Sequence, residues 1–345
     1  MNVHVIGQIK IADQHHVVAG DQFPRKSEVD YAESMLFTKV ISALLCSALL
    51  AGCAGAPSEE PAAERSFRIV GYVTAAAVLD VIDFSRLTHV NYAFLLPKKS
   101  GELKTFGSPT QLRRVVEAAH AASAKVLISV GGWGWDDEFE ELAAAEDRRA
   151  RFVSAVVDFV AEYQLDGADI DWEYPDAGAS SEHFVALMRE LRAALPAGSL
   201  LTTAVVSDAT HADGIDPVIF EIVDFVNVMA YDGGPANHSP LSLAEQALTS
   251  WDAKGLRKEQ RVLGVPFYAR PGDISYRKLF ESDPATADGD RIFYFSEEQN
   301  YNGPSTLRAK VALAKEEASG IMIWELSQDA LGDDSLLKVI WEASR

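Results

Sequence analysis

The chain has 345 residues, 48% hydrophobic and 24% charged, with a formal net charge of −20, which is material for one large domain or two small ones with a sizeable core. This acidic balance argues against nucleic acid and against an anionic membrane surface as electrostatic partners, and it suits an uncharged ligand. With only Cys46 and Cys53, both near the start, neither a disulfide framework nor a cysteine-based metal site is expected in the folded domain.

Residues 1–34 show no clear period and run into a second methionine, Met35, which is expected to be the true start. Residues 35–53 read MLFTKVISALLCSALLAGC, with basic Lys39 ahead of an apolar run over 40–50. That run is short for a bilayer span and fits a secretory signal. Its end, Leu50-Ala51-Gly52-Cys53, looks like a bacterial lipobox. The likeness implies cleavage before Cys53 and a lipid on its sulfur, so that the exported protein touches the membrane only through an N-terminal anchor. An ordinary cleaved signal with an incidental cysteine is the alternative. Residues 54–66 are rich in Pro, Ala and Glu and read as a flexible tether.

From Phe67 onward, short apolar runs alternate with helical patterns, the mark of a βα architecture. Strands are expected over 68–73, 89–94, 125–130, 167–172, 200–205, 225–230, 262–267 and 321–325. Helices are expected over 109–121, 147–163, 181–195, 243–254, 306–318 and 335–341, with weak helices after the first and fifth strands. Eight strands and their helices over 67–345 predict an α/β fold, a single (β/α)8 TIM barrel whose active site lies at the carboxyl ends of the strands. Roughly 35 residues separate the seventh strand from the helix at Thr306, enough for a short insertion with a hairpin near 292–295.

The fourth strand is chemically the densest stretch. Residues 165–176 read LDGADIDWEYPD, which sets Asp166, Asp169, Asp171 and Glu173 within eight residues. In a strand, alternate residues share a face, so Asp169, Asp171 and Glu173 form a column with neighbours about 6.5–7 Å apart. Like charges held close and partly dry raise at least one pKa. A carboxyl kept protonated beside ionised ones is what cleavage of a glycosidic bond requires, because the leaving oxygen must be protonated. A solvated acidic face does not fit, since Ile170 and Trp172 make the opposite side apolar. A calcium loop starting at Asp166 fails as well, with Ala168 at its third position and Asp171 where glycine is needed.

The stretch resembles the D-G-x-D-x-D-x-E signature of family 18 glycoside hydrolases, the chitinase-like enzymes, at Asp166, Gly167, Asp169, Asp171 and Glu173. Two other segments add to the resemblance: Ser129-Val130-Gly131-Gly132-Trp133 matches S-x-G-G, and Met229-Ala230-Tyr231-Asp232 matches M-x-Y-D. The resemblance implies that Glu173 is the acid, that Asp171 orients the substrate's 2-acetamido group with Asp169 and Ser129 behind it, and that Tyr231 steadies the intermediate. It places Tyr72, Phe94, Ser129, Gly132, Trp133, Met229 and Asp232 around the sugar, with Trp324 as its floor. Trp135 and Tyr268 also fall near predicted strand tops, and core packing is an equal alternative for the aromatic residues. Trp172, Trp251 and Trp341 read as packing. The histidines are scattered and show no ligand spacing, so no metal is expected, and the implied mechanism needs no cofactor.

Implied overall is a monomer that cleaves β-1,4 bonds within N-acetylglucosamine polymers, retaining configuration through the substrate's own acetamido oxygen. An endo-β-N-acetylglucosaminidase acting on N-glycans or peptidoglycan is an alternative. So is a chitinase-like lectin, although such lectins have typically lost one of the acids that this chain keeps.

Overall fold

The computed structural model describes residues 67–234 and 238–345. The expected start at Met35, the signal, Cys53 and the tether lie outside the described residues. Among the described residues, no helix is long and apolar enough to cross a membrane.

Eight parallel strands close into a barrel: β1 (Arg68–Thr74), β2 (His89–Leu95), β3 (Lys125–Gly131), β4 (Gly167–Asp171), β5 (Leu200–Val206), β6 (Phe225–Met229), β7 (Arg261–Pro266) and, as the twelfth strand in sequence, β12 (Gly320–Trp324). The expected positions hold to within a residue or two. Both faces of each strand are covered, which is why all five residues of β4 are buried. Outward positions such as Ile128, Val130, Ala168 and Ile170 join the large core beneath the helices. Inward positions behave differently: Val70, Tyr72, Ala93, Phe225, Val262 and Met322 form a small separate cluster, and polar Asn91, Ser129, Asp169, Thr202 and Asn227 are buried with them.

The surrounding helices are α1 (Pro109–Ala121), α2 (Asp136–Ala143), α3 (Glu146–Tyr163), α4 (Ala179–Ala194), α5 (Ile219–Ile222), α6 (Leu241–Ala253), α7 (Tyr276–Ser282), α8 (Pro304–Glu317) and α9 (Leu336–Ser344). In α1, proline occupies the first turn, where its missing N–H costs nothing, and Leu112, Val115, Val116 and Ala119 form the buried stripe. After β1 the chain makes only 3₁₀ turns at Leu79–Val81 and Phe84–Arg86, and after β5 only a turn and four-residue α5, as the weak patterns there imply. Helix α2 was not expected. Its eight residues are too few to show a period, but Asp136, Asp137 and Glu138 in its first turn suit the positive end of the helix dipole.

The insertion after β7 holds two small antiparallel pairs, β8 (Tyr268–Ala269) with β9 (Ile274–Ser275) and β10 (Arg291–Tyr294) with β11 (Glu297–Asn300). Between them lie α7 and a 3₁₀ turn at Pro284–Asp288.

Candidate active site

Asp169 lies fully buried inside the barrel and accepts four hydrogen bonds. Tyr72 Oη (2.7 Å) and Ser129 Oγ (2.8 Å) donate to Oδ2, and Thr202 Oγ1 (2.6 Å) and Asn227 Nδ2 (3.3 Å) donate to Oδ1. Burial raises the Asp169 pKa and the hydroxyl and amide donors oppose that rise. Ser129 thus supports Asp169 from inside the barrel, as its expected place behind Asp171 requires, and it does not line the cleft beside the sugar, where it was also expected. Tyr72 is divided: its hydroxyl points down to Asp169, while its ring meets Trp324 edge to face in the cleft wall, with ring centres 5.4 Å apart.

One step up the column, buried Asp171 has no hydrogen-bond partner for Oδ1. Burial, then the charges of Glu173 and Asp169, push its carboxyl well above the ordinary range. Glu173, just past the end of β4, is half-buried. Burial raises its pKa, a hydrogen bond with Tyr174 lowers it, and repulsion from Asp232 raises it, with a net upward shift. Tyr231, half-buried beside Tyr268 at 6.4 Å, lines the same cleft, and its phenol is held firmly protonated by burial and its acidic neighbours.

Asp232 takes a left-handed conformation (φ 58°), tolerable for Asp. Arg270 grips its carboxylate in a fork, Nε to Oδ1 at 2.8 Å and NH2 to Oδ2 at 2.9 Å, and Tyr268 Oη donates to Oδ2 at 2.8 Å. Buried His238 completes the set at 3.2 Å. Burial alone would raise the Asp232 pKa, but Arg270, His238 and Tyr268 outweigh it and hold the carboxylate ionised well below its usual range.

These residues border a cleft of about 690 Å³. Trp324 forms part of its wall, stacked on Phe94 at 5.5 Å. Gly132 does not line the cleft. It has φ +88°, and a Cβ there would come within 2.7 Å of the Phe94 ring, so its job is to let Phe94 settle. Gly131 (φ +113°) likewise abuts the Asp171 carbonyl oxygen, where a Cβ would sit at 2.3 Å. Met229, Trp133, Trp135 and Tyr268 line the cleft, and Lys104 Nζ lies 3.8 Å from the Trp135 ring centre. Trp172 faces away, buried and stacked on Phe139 at 5.2 Å. The peptides Ala93–Phe94, Glu173–Tyr174 and Trp324–Glu325 at the tops of β2, β4 and β12 are cis.

Sequence reasoning missed Thr202, Asn227, Tyr174, Arg270 and His238. Thr202 was within reach, since it pairs in register with Asp169. Arg270 and His238 sit in connections without periodicity, so nothing local marks them. Among the described residues no group of His, Cys, Asp and Glu is arranged to hold a metal ion.

Residues 68–329 match the family model described as "Glycosyl hydrolases family 18". Chitinase A1 of Niallia circulans is 29% identical over 327 residues, covering 67% of this chain and 46% of that protein. The chain spans about half the length of the curated relatives it matches. A family 18 chitinase from the chitin utilization locus of Flavobacterium johnsoniae has a similar structure, with 28% identity, a TM-score of 0.70, and coverage of 81% of this chain and 94% of that one. A plant class V chitinase mutant from Cycas revoluta, solved in complex with (GlcNAc)3, gives 25% identity and a TM-score of 0.73, with coverage of 80% and 99%. With the family model running from the first barrel strand to just beyond the last, and an acid column on the fourth, this chain belongs to glycosyl hydrolase family 18.

Proposed function

We propose that the protein hydrolyses β-1,4 bonds within chitin or chito-oligosaccharides, retaining configuration at the cleaved carbon. The observation that carries this reading is the stacked acid column: Asp171, buried with an unpaired Oδ1, stands between Asp169 and Glu173 in a cleft walled by Trp324. Relatives named as chitinases, one of them solved with an N-acetylglucosamine trimer, support the choice of sugar.

In this mechanism Glu173 gives its proton to the glycosidic oxygen as the C–O bond breaks. The 2-acetamido oxygen of the same sugar bonds to the anomeric carbon, and positive charge spreads over the resulting oxazolinium ring. Asp171 holds the acetamido N–H and balances that charge, and Tyr231 Oη hydrogen-bonds the ring. Water then attacks the anomeric carbon and displaces the acetamido oxygen, which opens the ring and restores the acetamido group; the water's proton passes to the Glu173 carboxylate, and the acid is restored. No side chain becomes covalently attached, and Trp324 offers an apolar face to the sugar's C–H groups.

Product analysis by mass spectrometry tests the reading. The full-length chain, with Glu173→Gln as control, would be offered chitin oligosaccharides, a high-mannose glycopeptide and peptidoglycan strands. Shortened N-acetylglucosamine oligomers are expected from the first alone, with the β-anomer first to appear when the reaction is followed by proton NMR. Release of the N-glycan or cleavage of the wall strands would redirect the substrate, and binding without any product would make the protein a lectin.

A further inference from the structure

Lys310, on α8, is the only buried lysine among the described residues, and no step of the mechanism uses it. Its amine meets Ser239 O (2.8 Å), Ser239 Oγ (2.6 Å) and Asn302 Oδ1 (2.7 Å). An ammonium group has three N–H donors, and each finds an acceptor here. Taking such a group out of water is nevertheless expensive, where an apolar side chain would not be.

Ser239 belongs to the connection after β6, which carries Tyr231 and Asp232 to the cleft. That connection is tied back on itself. Gly233 N donates to His238 O (2.9 Å), His238 Nδ1 lies 3.2 Å from Asp232 Oδ1, and Ser239 Oγ donates to Ala230 O (2.7 Å), the residue before Tyr231. Asn302 Nδ2 also donates to Ser239 O (2.8 Å). Residues 238–239 are thus the foot on which 230–233 stand, and Lys310 and Asn302 fasten that foot to α8 and the residues just before it.

We propose that Lys310 is a positioning residue for the reaction: as an ammonium group it fixes Ser239, and through Ser239 the backbone that aims Tyr231 and Asp232 at the sugar. The proposal rests on the mechanism above for what those two residues do. Its strength depends on charge. Burial draws the amine down to about 7, with Asp290 opposing. Asp290, itself bound by Gly303 N and Thr306 Oγ1, is the charged group that acts on the amine, and α6, α9, β7 and β12, which pack on α8, bring no other to bear on it. Below that value every acceptor is met. Above it a neutral amine has one donor fewer, an acceptor goes unmet, and the foot loosens.

The test compares kcat/KM on chitin oligosaccharides for the full-length parent and Lys310→Met on either side of the amine's value, at about pH 6 and about pH 8.5. Their ratio cancels the titration of Glu173, which both share. It is expected to be about tenfold at the lower pH, carried by kcat with KM little changed, and about threefold or less at the higher. Ser239→Ala, a smaller change, should lose activity in the same sense, and the two losses at the lower pH should be less than additive because they cut one link. Should Lys310→Met fail to fold, the Ser239→Ala loss decides, and it must be larger at the lower pH. A ratio that does not change with pH, or fully additive losses, overturns the proposal, since Lys310 would then only fill the core. Hydrogen exchange at the Gly233 amide reads the tie without turnover: it should be faster in Lys310→Met than in the parent at the lower pH, with a narrower gap at the higher. Equal exchange at the lower pH overturns the proposal. If the parent cleaves no oligosaccharide yet shows this exchange pattern, the tie stands and the hydrolase reading falls.

Discussion

The Glu173 pKa is set by burial, by Tyr174 beside it on the same segment and by Asp232 from the loop after β6, and the Glu173 charge acts in turn on Asp171 below it. Replacing Glu173 by Gln keeps the shape and removes the proton, so kcat should fall by about 10²–10⁴-fold while oligosaccharide binding, read by fluorescence titration, persists. In the proposed mechanism Glu173 must be protonated, so its raised pKa fixes the sign of the pH profile, with activity lost as pH rises through that value. The Asp232 charge raises the Glu173 pKa, so Asp232→Asn should move the alkaline limb of kcat/KM to lower pH, and a limb that moves upward would refute this coupling. At this scale the sequence is legible where alternation does the placing. Asp169 and Asp171 follow from strand parity alone, and Glu173 continues their spacing just past the strand's end. Arg270 reaches Asp232 from the connection after β7, where only the closed fold brings it, and His238 lies farther along the same aperiodic connection as Asp232.

Strands are tied to one another through side chains as well as through their ladders. Asp169 on β4 takes hydrogen bonds from β1, β3, β5 and β6, so Asp169→Asn would aim an amide donor at groups that themselves donate. A loss of about 1–3 kcal/mol in urea unfolding is expected. Helix α8 makes a second tie through Lys310, fully buried, whose amine meets Ser239 O (2.8 Å), Ser239 Oγ (2.6 Å) and Asn302 Oδ1 (2.7 Å). Ser239 Oγ in turn donates to Ala230 O, next to Tyr231. Burial pushes the Lys310 amine down to about 7. The unfolded chain therefore binds the extra proton between that value and the free-lysine pKa of about 10.4, and stability from this group rises with pH across the window, by at most about 1.4 kcal/mol per unit. Unfolding free energies measured from pH 7 to 9.5 should show that slope in the parent and not in Lys310→Met. The barrel strands and long helices are readable because each has a period. The two-residue strands of the insertion and eight-residue α2 are too short for one, and long-range packing and hydrogen bonding place them.

Taken whole, the molecule sets 51 acidic against 31 basic residues, and its cleft takes a glycan that, on the reading above, carries no charge. Hydrolysis of fully acetylated oligomers should therefore change by less than roughly twofold between low and high salt, whereas partially deacetylated, cationic chains should lose affinity as salt screens their attraction. Parallel kinetics on the two substrates at several ionic strengths check this, and equal salt dependence would contradict it. Arg270 has a consequence at the same scale. Its side chain clamps Asp232 while its backbone pairs with Asn300 at the foot of the β10–β11 hairpin. The insertion is thus no detachable accessory. A graft that lengthens it but preserves the Arg270–Asn300 pairing would inherit the acidity of the reaction centre, and one that breaks the pairing would retune the centre from its rim.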